Sequence, residues 1–310
     1  MQLFRDIQSM ALNASVVTIG NFDGLHLGHQ NLITKTFLQA QSLEIPSVVL
    51  SFEPLPYIYF KPTTLHQIMP LRTKYHLLKK WPIDYLGLLA FNEKLATVSA
   101  EAFVEDYLVK ALGVRVLNMG QDFQFGYQKR GNVELLQKMG QQHGFRVNVL
   151  SDVVVHGEKV SSSKIRQALI VGDIERANQL LGYSFTLIAR VQSGKKLGRT
   201  LGFPTANLAL APKSILLNGV YICWAIVGEQ KYPAVCNVGY QPTVNSFRKK
   251  VEVHLLDYTG NLYGQYLKVE FLKKIRNEQK FQNVSELIER IKHDTLVAKE
   301  FFAKQVSSQL

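Results

Sequence analysis

The sequence predicts an α/β domain built on a parallel sheet, followed by an antiparallel β-domain that closes with a helix. Short apolar runs alternate with helical patterns over the first 150 residues, and turn residues separate several strand candidates after residue 183. A helical pattern with apolar positions then runs from Val284 to Gln305. Strands that alternate with helices indicate a parallel sheet covered on both faces, whereas short strands joined by turns indicate an antiparallel sheet or barrel.

The first part of the chain offers strand candidates rich in β-branched and aliphatic residues, with helical patterns between them. The strand candidates are Val16–Ile19, Ser47–Phe52, Tyr85–Phe91, Arg115–Met119 and Arg146–Val155. The helix candidates are Gln30–Leu43, Leu71–Lys80, Ser99–Leu112 and Val133–Gln142. In a parallel sheet of this kind, ligands bind outside the carboxyl ends of the strands.

The pattern changes near Tyr183, where a helical segment, Ser163–Leu181, comes to an end. We therefore expect one domain over residues 1–183 and a second over residues 184–310. The strand candidates of the second domain are Phe185–Val191, Gly219–Val227, Tyr232–Val238, Val251–Asp257 and Tyr266–Leu272.

The composition of the chain argues against nucleic acid and membranes as binding partners. The formal net charge is +12, but the basic residues are mostly dispersed, without the long basic block or aromatic signature of a nucleic-acid-binding protein. No apolar run reaches the roughly 20 residues that cross a bilayer, and the first residues lack the apolar core of a signal peptide. The two cysteines form no metal or disulfide pattern. We expect a cytoplasmic protein that binds phosphorylated small molecules, with no nucleic-acid or membrane partner.

The most informative segment is Gly20–His29, which follows the first strand candidate and leads into a helix. A helix N-terminus carries unpaired N–H groups and partial positive charge, so it receives phosphate groups. His26 and His29 can add hydrogen bonds to phosphate oxygens as charge develops in a transfer reaction. A glycine-rich turn or a lone histidine is often purely structural, but the two histidines together after a strand favour a nucleotide site.

A second segment, Lys159–Arg166, places three serines at the start of a helix. One serine at such a position is ordinarily an N-cap. Arg166, however, can bind a phosphate group with two parallel hydrogen bonds. The segment therefore predicts a further phosphate contact.

Two segments of the second domain carry oxygen ligands. Thr205 and Asn207 lie two residues apart in Gly198–Leu208, so an extended chain would present both on one side. Their oxygens suit Mg²⁺ and the phosphates that it bridges, although a simple loop around Pro204 is an equal alternative. In Val251–Asp257, Glu252 shares a strand face with His254. That pattern alone favours a half-buried strand, but a carboxylate there could accept a proton from a hydroxyl nucleophile.

Taken in order along the chain, these segments resemble the bifunctional prokaryotic riboflavin kinase/FAD synthetase family. The first block also resembles the (H/T)xGH signature of the wider nucleotidyltransferase superfamily, and the serine block resembles its ISSTxIR motif, with Ser163 in place of threonine. The similar segments are GNFDGLHLGHQ, SFEP, GQDFQFG, SSSKIRQAL, GRTLGFPTANL, NVGYQPTV and EVHLLDYTGNLYG. The resemblance implies a Rossmann-like FMN adenylyltransferase domain and a six-stranded Greek-key riboflavin kinase barrel with a C-terminal helix.

The resemblance also implies roles for individual residues. His26 and His29 would stabilise the phosphates of ATP, and Glu252 would be the base for the riboflavin 5′-hydroxyl. Thr205 and Asn207 would hold Mg²⁺ and ATP phosphates. The remaining ATP and phosphate contacts would come from Gly20, Phe22, Asp23, Lys159, Ser162, Ser163, Arg166, Gly198 and Arg199. Asp122 and Phe123, in the GQDFQFG turn, would contact the flavin.

The chain departs from the family pattern at a few positions. Leu55 stands where His or Gln is common, Lys159 where Arg is common, and Tyr240 and Gln241 replace Thr and Arg in a flavin-proximal segment. None of these changes removes a predicted catalytic group. We therefore expect ATP, riboflavin and FMN as substrates, FAD as product, Mg²⁺ as cofactor, and a monomer or weak homo-oligomer.

Two other functions are compatible with parts of the sequence. One is an enzyme with a single activity and one degraded domain. The presence of every expected residue in PTAN (Pro204–Asn207), EVH (Glu252–His254) and HxGH (His26–His29) argues against it. The other is a flavin-responsive regulatory protein, for which we would expect an added nucleic-acid-binding segment or the loss of catalytic residues.

Overall fold

The structure, a computed structural model, describes residues 1–61, 66–193, 198, 201–209, 218–243 and 246–307. The chain forms two compact units. The first comprises Met1–Gln67 and Lys74–Ser161, and the second comprises Ile68–Thr73 and Ser162–Leu310. The predicted order of a parallel α/β domain and an antiparallel barrel with a C-terminal helix is confirmed.

The first unit is a six-stranded parallel sheet in the order β1-β4-β3-β2-β5-β6, flanked by helices. Its strands are β1 (Gln2–Phe4), β2 (Ser15–Ile19), β3 (Ser47–Glu53), β4 (Tyr85–Ala90), β5 (Val114–Gly120) and β6 (Arg146–Leu150). From β2 the chain runs outward through β3 and β4, and it then returns to the other side of β2 with β5. The strand order reverses there, so the carboxyl ends of β2 and β5 mark the expected binding crevice.

The helices of this unit largely follow the predicted segments. They are α1 (Leu27–Leu43), α2 (Pro56–Phe60), α3 (Leu71–Leu78), which straddles the two units, α4 (Glu93–Ala96), α5 (Ala100–Phe103) and α6 (Val133–His143). A π-helix, Val104–Ala111, continues directly from α5.

One predicted strand, Arg146–Val155, is wrong as a single element. Strand β6 ends at Leu150, and β7 (Val154–Val155) instead forms a small antiparallel pair with β8 (Glu158–Lys159). The turn between them contains His156 and Gly157, both with positive φ. This hairpin brings Lys159 to its position in the first unit.

The predicted helix Ser163–Leu181 is two helices, α7 (Ser162–Val171) and α8 (Ile174–Leu181). The break falls at Gly172, which adopts φ +88°, a conformation that glycine reaches without strain. Asp173 then caps α8 by accepting a hydrogen bond from the Arg176 N–H. A continuous apolar pattern conceals such a break.

In the second unit, the strands close into an antiparallel barrel in the order β10-β13-β12-β11-β14-β9. They are β9 (Thr186–Gln192), β10 (Ala206–Leu208), β11 (Gly219–Val227), β12 (Gln230–Thr243), β13 (Ser246–Leu255) and β14 (Tyr266–Arg276). Strands β11, β12 and β13 follow one another, and β14 returns beside β11, which is the Greek-key arrangement.

The C-terminal helix, α9 (Val284–Ser307), packs on the outside of the barrel through an apolar face. Its Phe302 ring lies 4.4 Å from the ring of Trp224, centroid to centroid. Asp294 of α9 is 2% exposed and accepts hydrogen bonds from Arg276 Nε at 3.1 Å and Nη2 at 2.7 Å. The ion pair ties the helix to the end of β14.

We expect Asp294→Ala to lower the free energy of unfolding of the barrel by about 3–5 kcal/mol, because it leaves the largely buried Arg276 without its carboxylate. Asp294→Asn should cost less, since the amide oxygen still accepts one hydrogen bond. Denaturant unfolding followed by Trp224 fluorescence, in a Trp81→Phe background, measures both. Equal unfolding midpoints for the unmodified protein and Asp294→Ala would contradict this assignment.

Two candidate active sites

The first candidate site lies where β2 meets α1. His26 is the N-cap of α1, and its Nδ1 accepts a hydrogen bond from the His29 N–H at 3.3 Å. Phe22 and Leu25 both have positive φ, at 45° and 42°. Non-glycine residues rarely adopt this conformation, and such strain tends to collect at functional sites.

The two histidine rings stack, with centroids 3.6 Å apart. Burial is the main reason that the pKa of His29 lies well below its usual value, and the nearby charges of His26 and Lys74 lower it further. His29 is therefore neutral at physiological pH and offers one N–H donor. Its Nδ1 is buried and has no hydrogen-bond partner among the described residues.

Three residues beside the histidines, Gly20, Phe22 and Asp23, were predicted to contact the ATP phosphates. The side chains of Phe22 and Asp23 are completely buried, and Asp23 accepts a hydrogen bond from the Tyr57 hydroxyl at 2.6 Å. Gly20 continues directly from β2. A ligand would therefore meet the backbone of this loop rather than these two side chains.

The carboxyl end of β5, on the other side of the crevice, leads to Asp122 and Phe123. Lys159 pairs with Asp122 and lies 2.8 Å from Asp152. The hydrogen bonds that Lys159 donates to these two carboxylates raise the pKa of Lys159. Two of the predicted site residues are thus brought together. Phe123 stacks on Phe125, with centroids 5.6 Å apart.

The predicted phosphate contacts Ser162, Ser163 and Arg166 lie in the first turns of α7, which belongs to the second unit. All three are at least partly exposed. Their position at a helix start agrees with the prediction for this segment.

The second candidate site is on the outer face of the barrel. Asn207 of β10 lies directly opposite Glu252 of β13, and Glu252 lies opposite Asn237 of β12. Directly opposed residues of antiparallel strands project to the same side. Their neighbours Val251 and Val253 are fully buried in the barrel interior, so the three polar residues form a row on the outside.

Glu252 and His254 each have a defined partner. Glu252 Oε1 lies 2.7 Å from Lys250 Nζ. His254 Nδ1 lies 2.8 Å from the Pro204 carbonyl oxygen, and its ring meets the edge of Phe203 at 5.7 Å between centroids. His254 thereby fixes the turn that precedes Thr205.

A cleft of about 590 Å³ opens beside this turn. Thr205 and Asn207 line one side, and the segment from Tyr258 to Tyr263 lines the other. Gly198 sits close against the turn, because a Cβ at this position would collide with the Phe203 carbonyl oxygen. Arg199 lies outside the described residues, so its predicted role has no structural counterpart here.

Two family models match the chain. One, described as FAD synthetase, covers residues 8–164, and the other, described as riboflavin kinase, covers residues 181–302. A bifunctional riboflavin kinase/FMN adenylyltransferase of Escherichia coli (strain K12) is 39% identical over 97% of this chain and 98% of its own length. The protein of the same name from Haemophilus influenzae is 38% identical, covering 97% of this chain and 99% of its own.

This chain belongs to the bifunctional riboflavin kinase/FMN adenylyltransferase family. Both domains of the family are present, so the predicted pair of activities is confirmed at the level of the family. A crystal structure described as a macrolide-efflux protein from Streptococcus pneumoniae has the same fold, with a TM-score of 0.84 and 30% identity over 96% of this chain and 98% of that one. Among the residues that the structure describes, no helix is both long and apolar enough to span a membrane.

The positions that depart from the family pattern lie in different environments. Leu55 is buried at the start of α2. Tyr240 and Gln241 continue strand β12, but their side chains lie outside the described part of the chain. Lys159 keeps a positive charge where the family pattern commonly has arginine.

Two features of this bifunctional chain escaped the sequence analysis. At the carboxyl ends of β3 and β4, the rings of Phe52, Tyr59, Phe60 and Phe91 form a cluster with centroids 5.3–5.9 Å apart. Phe60 is 64% exposed. The other feature is Asn237, which joins the row of Asn207 and Glu252. The NVGYQPT segment was recognised, but only the cross-strand register shows that its asparagine meets the glutamate.

Proposed function

We propose that the barrel phosphorylates riboflavin at the row around Glu252, and that the parallel-sheet domain adenylylates the resulting FMN at His26 and His29. The observation that carries this assignment is the direct cross-strand pairing of Asn207 with Glu252 beside the cleft. This pairing supports a base at Glu252 next to oxygen ligands that suit Mg²⁺ and the nucleotide phosphates that it bridges. We place the boundary between the two activities near residue 183.

In the kinase step, the riboflavin 5′-hydroxyl oxygen attacks the γ-phosphorus of ATP, and the bond from that phosphorus to the β-γ bridging oxygen breaks to release ADP. Glu252 accepts the hydroxyl proton. The carboxylate is partly exposed and lies between two strand neighbours, so a substrate hydroxyl can reach it. Its Oε1 also forms an ion pair with Lys250 Nζ.

The residues around the cleft fit a magnesium ion. Within the described ranges, no cluster of three or more His, Cys, Asp or Glu side chains could hold a metal ion. Mg²⁺ in nucleotide sites, however, takes few protein ligands and is completed by substrate phosphates and water. We propose that the oxygens of Thr205 and Asn207 hold it. When bound, the ion would neutralise charge on the phosphates of ATP.

In the adenylyl transfer step, a phosphate oxygen of FMN attacks the α-phosphorus of ATP, and pyrophosphate leaves. This nucleophile is already anionic, so the step needs positioning and charge stabilisation rather than a base. The buried Nδ1 of His29, which has no hydrogen-bond partner within the described part of the chain, and the N-terminus of α1 support this assignment. We propose that the phosphates of this ATP are bound by Ser162, Ser163 and Arg166, together with Lys159 and the backbone of Gly20–Asp23. In the kinase step, the phosphates of the other ATP molecule are proposed to contact Gly198 and Arg199.

We propose that the isoalloxazine ring of FMN rests against aromatic side chains at the carboxyl edge of the sheet. Asp122 and Phe123 lie at the end of β5, and the exposed Phe60 belongs to the aromatic cluster beyond β3 and β4. Aromatic faces stack favourably with planar rings.

Incubation with riboflavin, ATP and Mg²⁺, followed by chromatography of the flavins, tests both activities. FMN and FAD should both appear, and chelation of Mg²⁺ with EDTA should stop FMN formation. Accumulation of FMN without FAD would contradict the proposed adenylyltransferase, and recovery of unchanged riboflavin would contradict the kinase.

We expect His254→Ala to raise the KM for ATP in the kinase reaction by about 3- to 10-fold, the equivalent of one hydrogen bond. The loss of the Nδ1 contact frees the Pro204 turn, which precedes Thr205, one of the residues proposed to hold Mg²⁺ at the ATP phosphates. His254→Asn should restore part of the affinity, because its amide N–H can reach the same carbonyl. Initial rates over a range of ATP concentrations measure the effect, and an unchanged KM for ATP would refute this role.

The remaining expectations concern the cellular compartment of the enzyme, its oligomeric state and its partners. We propose a cytoplasmic monomer or weak homo-oligomer that does not bind nucleic acid. The free thiols of Cys223 and Cys236 support a reducing compartment. Size-exclusion chromatography and the sensitivity of elution to added DNA or RNA test these expectations.

A further inference from the structure

Lys74 of α3 is a buried cation in the first unit that the sequence analysis did not single out. Its side chain is 1% exposed. The Nζ atom donates hydrogen bonds to the Asn21 carbonyl oxygen at 2.8 Å and to the Ser51 hydroxyl at 3.2 Å. Both of these partners are neutral. Removal of an ammonium group from water is costly without a full ionic partner, so folding alone gives little reason to keep lysine here.

The Asn21 carbonyl belongs to the loop between β2 and α1. Its oxygen also accepts a hydrogen bond from the Ser51 hydroxyl at 3.2 Å. The loop continues through Phe22 and Leu25, whose positive φ angles are strained. Two donors on one carbonyl therefore hold the loop in the conformation that places His26 at the start of α1.

The charges around Lys74 come from several elements. Asp23 and Glu53 favour its protonated form, whereas burial, the largest influence, opposes it and lowers the pKa of Lys74 to about 8. On the other side, the positive charge of Lys74 contributes to the lowered pKa of His29. Asp23 in turn accepts a hydrogen bond from Tyr57, and Arg5 and Lys74 both act on Glu53, although burial raises the pKa of Glu53.

We propose that Lys74 is a positioning residue for adenylyl transfer. It holds the loop between β2 and α1 through the Asn21 carbonyl, and it keeps a positive charge close to His26 and His29. This inference rests on the proposed function of the loop. The group does not touch the substrate. It acts on the conformation of the loop and on the electrostatic potential where pyrophosphate gains negative charge as it leaves.

A pH dependence follows from the charge. The ammonium form dominates below about pH 8, and the amine form dominates above it. The neutral amine still donates hydrogen bonds but contributes no charge. The rate of FAD formation from FMN should therefore fall as the pH rises through about 8, while the kinase rate measured in the same samples shows no matching fall.

The test compares Lys74→Met with the unmodified protein and with Lys79→Met, an exposed lysine just beyond the same helix. Lys74→Met should lower kcat for FAD formation from FMN by at least about 10-fold, short of the 10²–10³-fold loss typical of a direct transition-state donor. It should also abolish the fall in rate above pH 8. The kinase rate should stay within about twofold, which reports that the barrel is folded. Denaturant unfolding followed by Trp81 fluorescence, in a Trp224→Phe background, reports that the first unit, which contains Lys74, is folded as well.

Lys74→Arg provides a second variant, because a guanidinium stays charged over the whole pH range. Its rate of FAD formation should exceed that of Lys74→Met and should not fall near pH 8. A flat profile for the unmodified protein between pH 7 and 9.5, or a Lys74→Met rate within twofold of it, would overturn the proposal. Failure of the unmodified protein to form FAD would instead refute the proposed function itself.

Discussion

Replacement of Glu252 by glutamine should abolish the conversion of riboflavin to FMN while leaving the conversion of added FMN to FAD intact. Glutamine keeps the size of the side chain and its place opposite Asn207 but cannot accept a proton. Loss of a general base lowers kcat by about 10²- to 10⁴-fold. The barrel should still fold, because Glu252 lies on the outer face and the interior neighbours Val251 and Val253 are unchanged.

The two reactions, phosphorylation of riboflavin and adenylylation of FMN, are measured separately, by supplying either riboflavin or FMN with ATP and separating the flavins. Glu270→Gln is the matched control, since this glutamate of β14 is held by Lys231 and Lys268 and has no assigned role in either step. If Glu252→Gln stopped both reactions with FMN supplied, the division of labour between the domains would be wrong. If it retained the kinase rate, the carboxylate would not be the base.

Replacement of both His26 and His29 by alanine should have the reverse effect, with FMN formed at the normal rate and no FAD detected. Loss of one donor to developing charge typically costs about 10²–10³ in kcat, so the double variant should fall below detection in an ordinary assay. The single variants should each lose rate. Kinetics with FMN as the substrate measure the loss, and the kinase rate of the same polypeptide serves as its internal reference.

His26 has a second role, because it also caps α1. His26→Ala should therefore destabilise the first unit by about 0.5–2 kcal/mol in addition to its effect on catalysis. His26→Asn separates the two effects, since asparagine is a strong N-cap but cannot reproduce the stacked imidazole. A stable His26→Asn protein with a full rate of FAD formation would show that His26 matters only as a cap.

Much of the fold could be predicted because hydrophobic periodicity reports local structure. Strands β2 to β5 and the strands that form most of the barrel lie in the predicted segments, since each buries a continuous or alternating apolar face. Strands β1 and β10 span only three residues each, which is too short for any period to show. The break between α7 and α8 was missed because both helices bury apolar residues on one side.

The sites were only partly predictable, for a different reason. Glycine-rich turns, histidines and serine-led helix starts are visible as local motifs. The pairing of Asn207 with Glu252 depends on strand register, and the burial of Lys74 beneath Asn21 joins residues 53 positions apart. In the sequence, Lys74 is one of several basic residues around α3, with nothing to separate it from its exposed neighbours. Such contacts arise only when the chain is folded.

Successive side chains of strand β13 alternate between the inside and the outside of the barrel, and this limits how the substrate specificity of the enzyme can evolve. The position that we propose to be catalytic and two core positions follow one another along the same strand, with Glu252 outside and Val251 and Val253 inside. Point substitutions at the outer positions can change the acceptor without disturbing the barrel, so the site is open to gradual change. Insertion or deletion of a single residue in β13 exchanges the inner and outer positions on one side of the change. Evolution of new acceptor specificity in this barrel should therefore proceed by substitution in the strands, with length variation confined to the connecting loops.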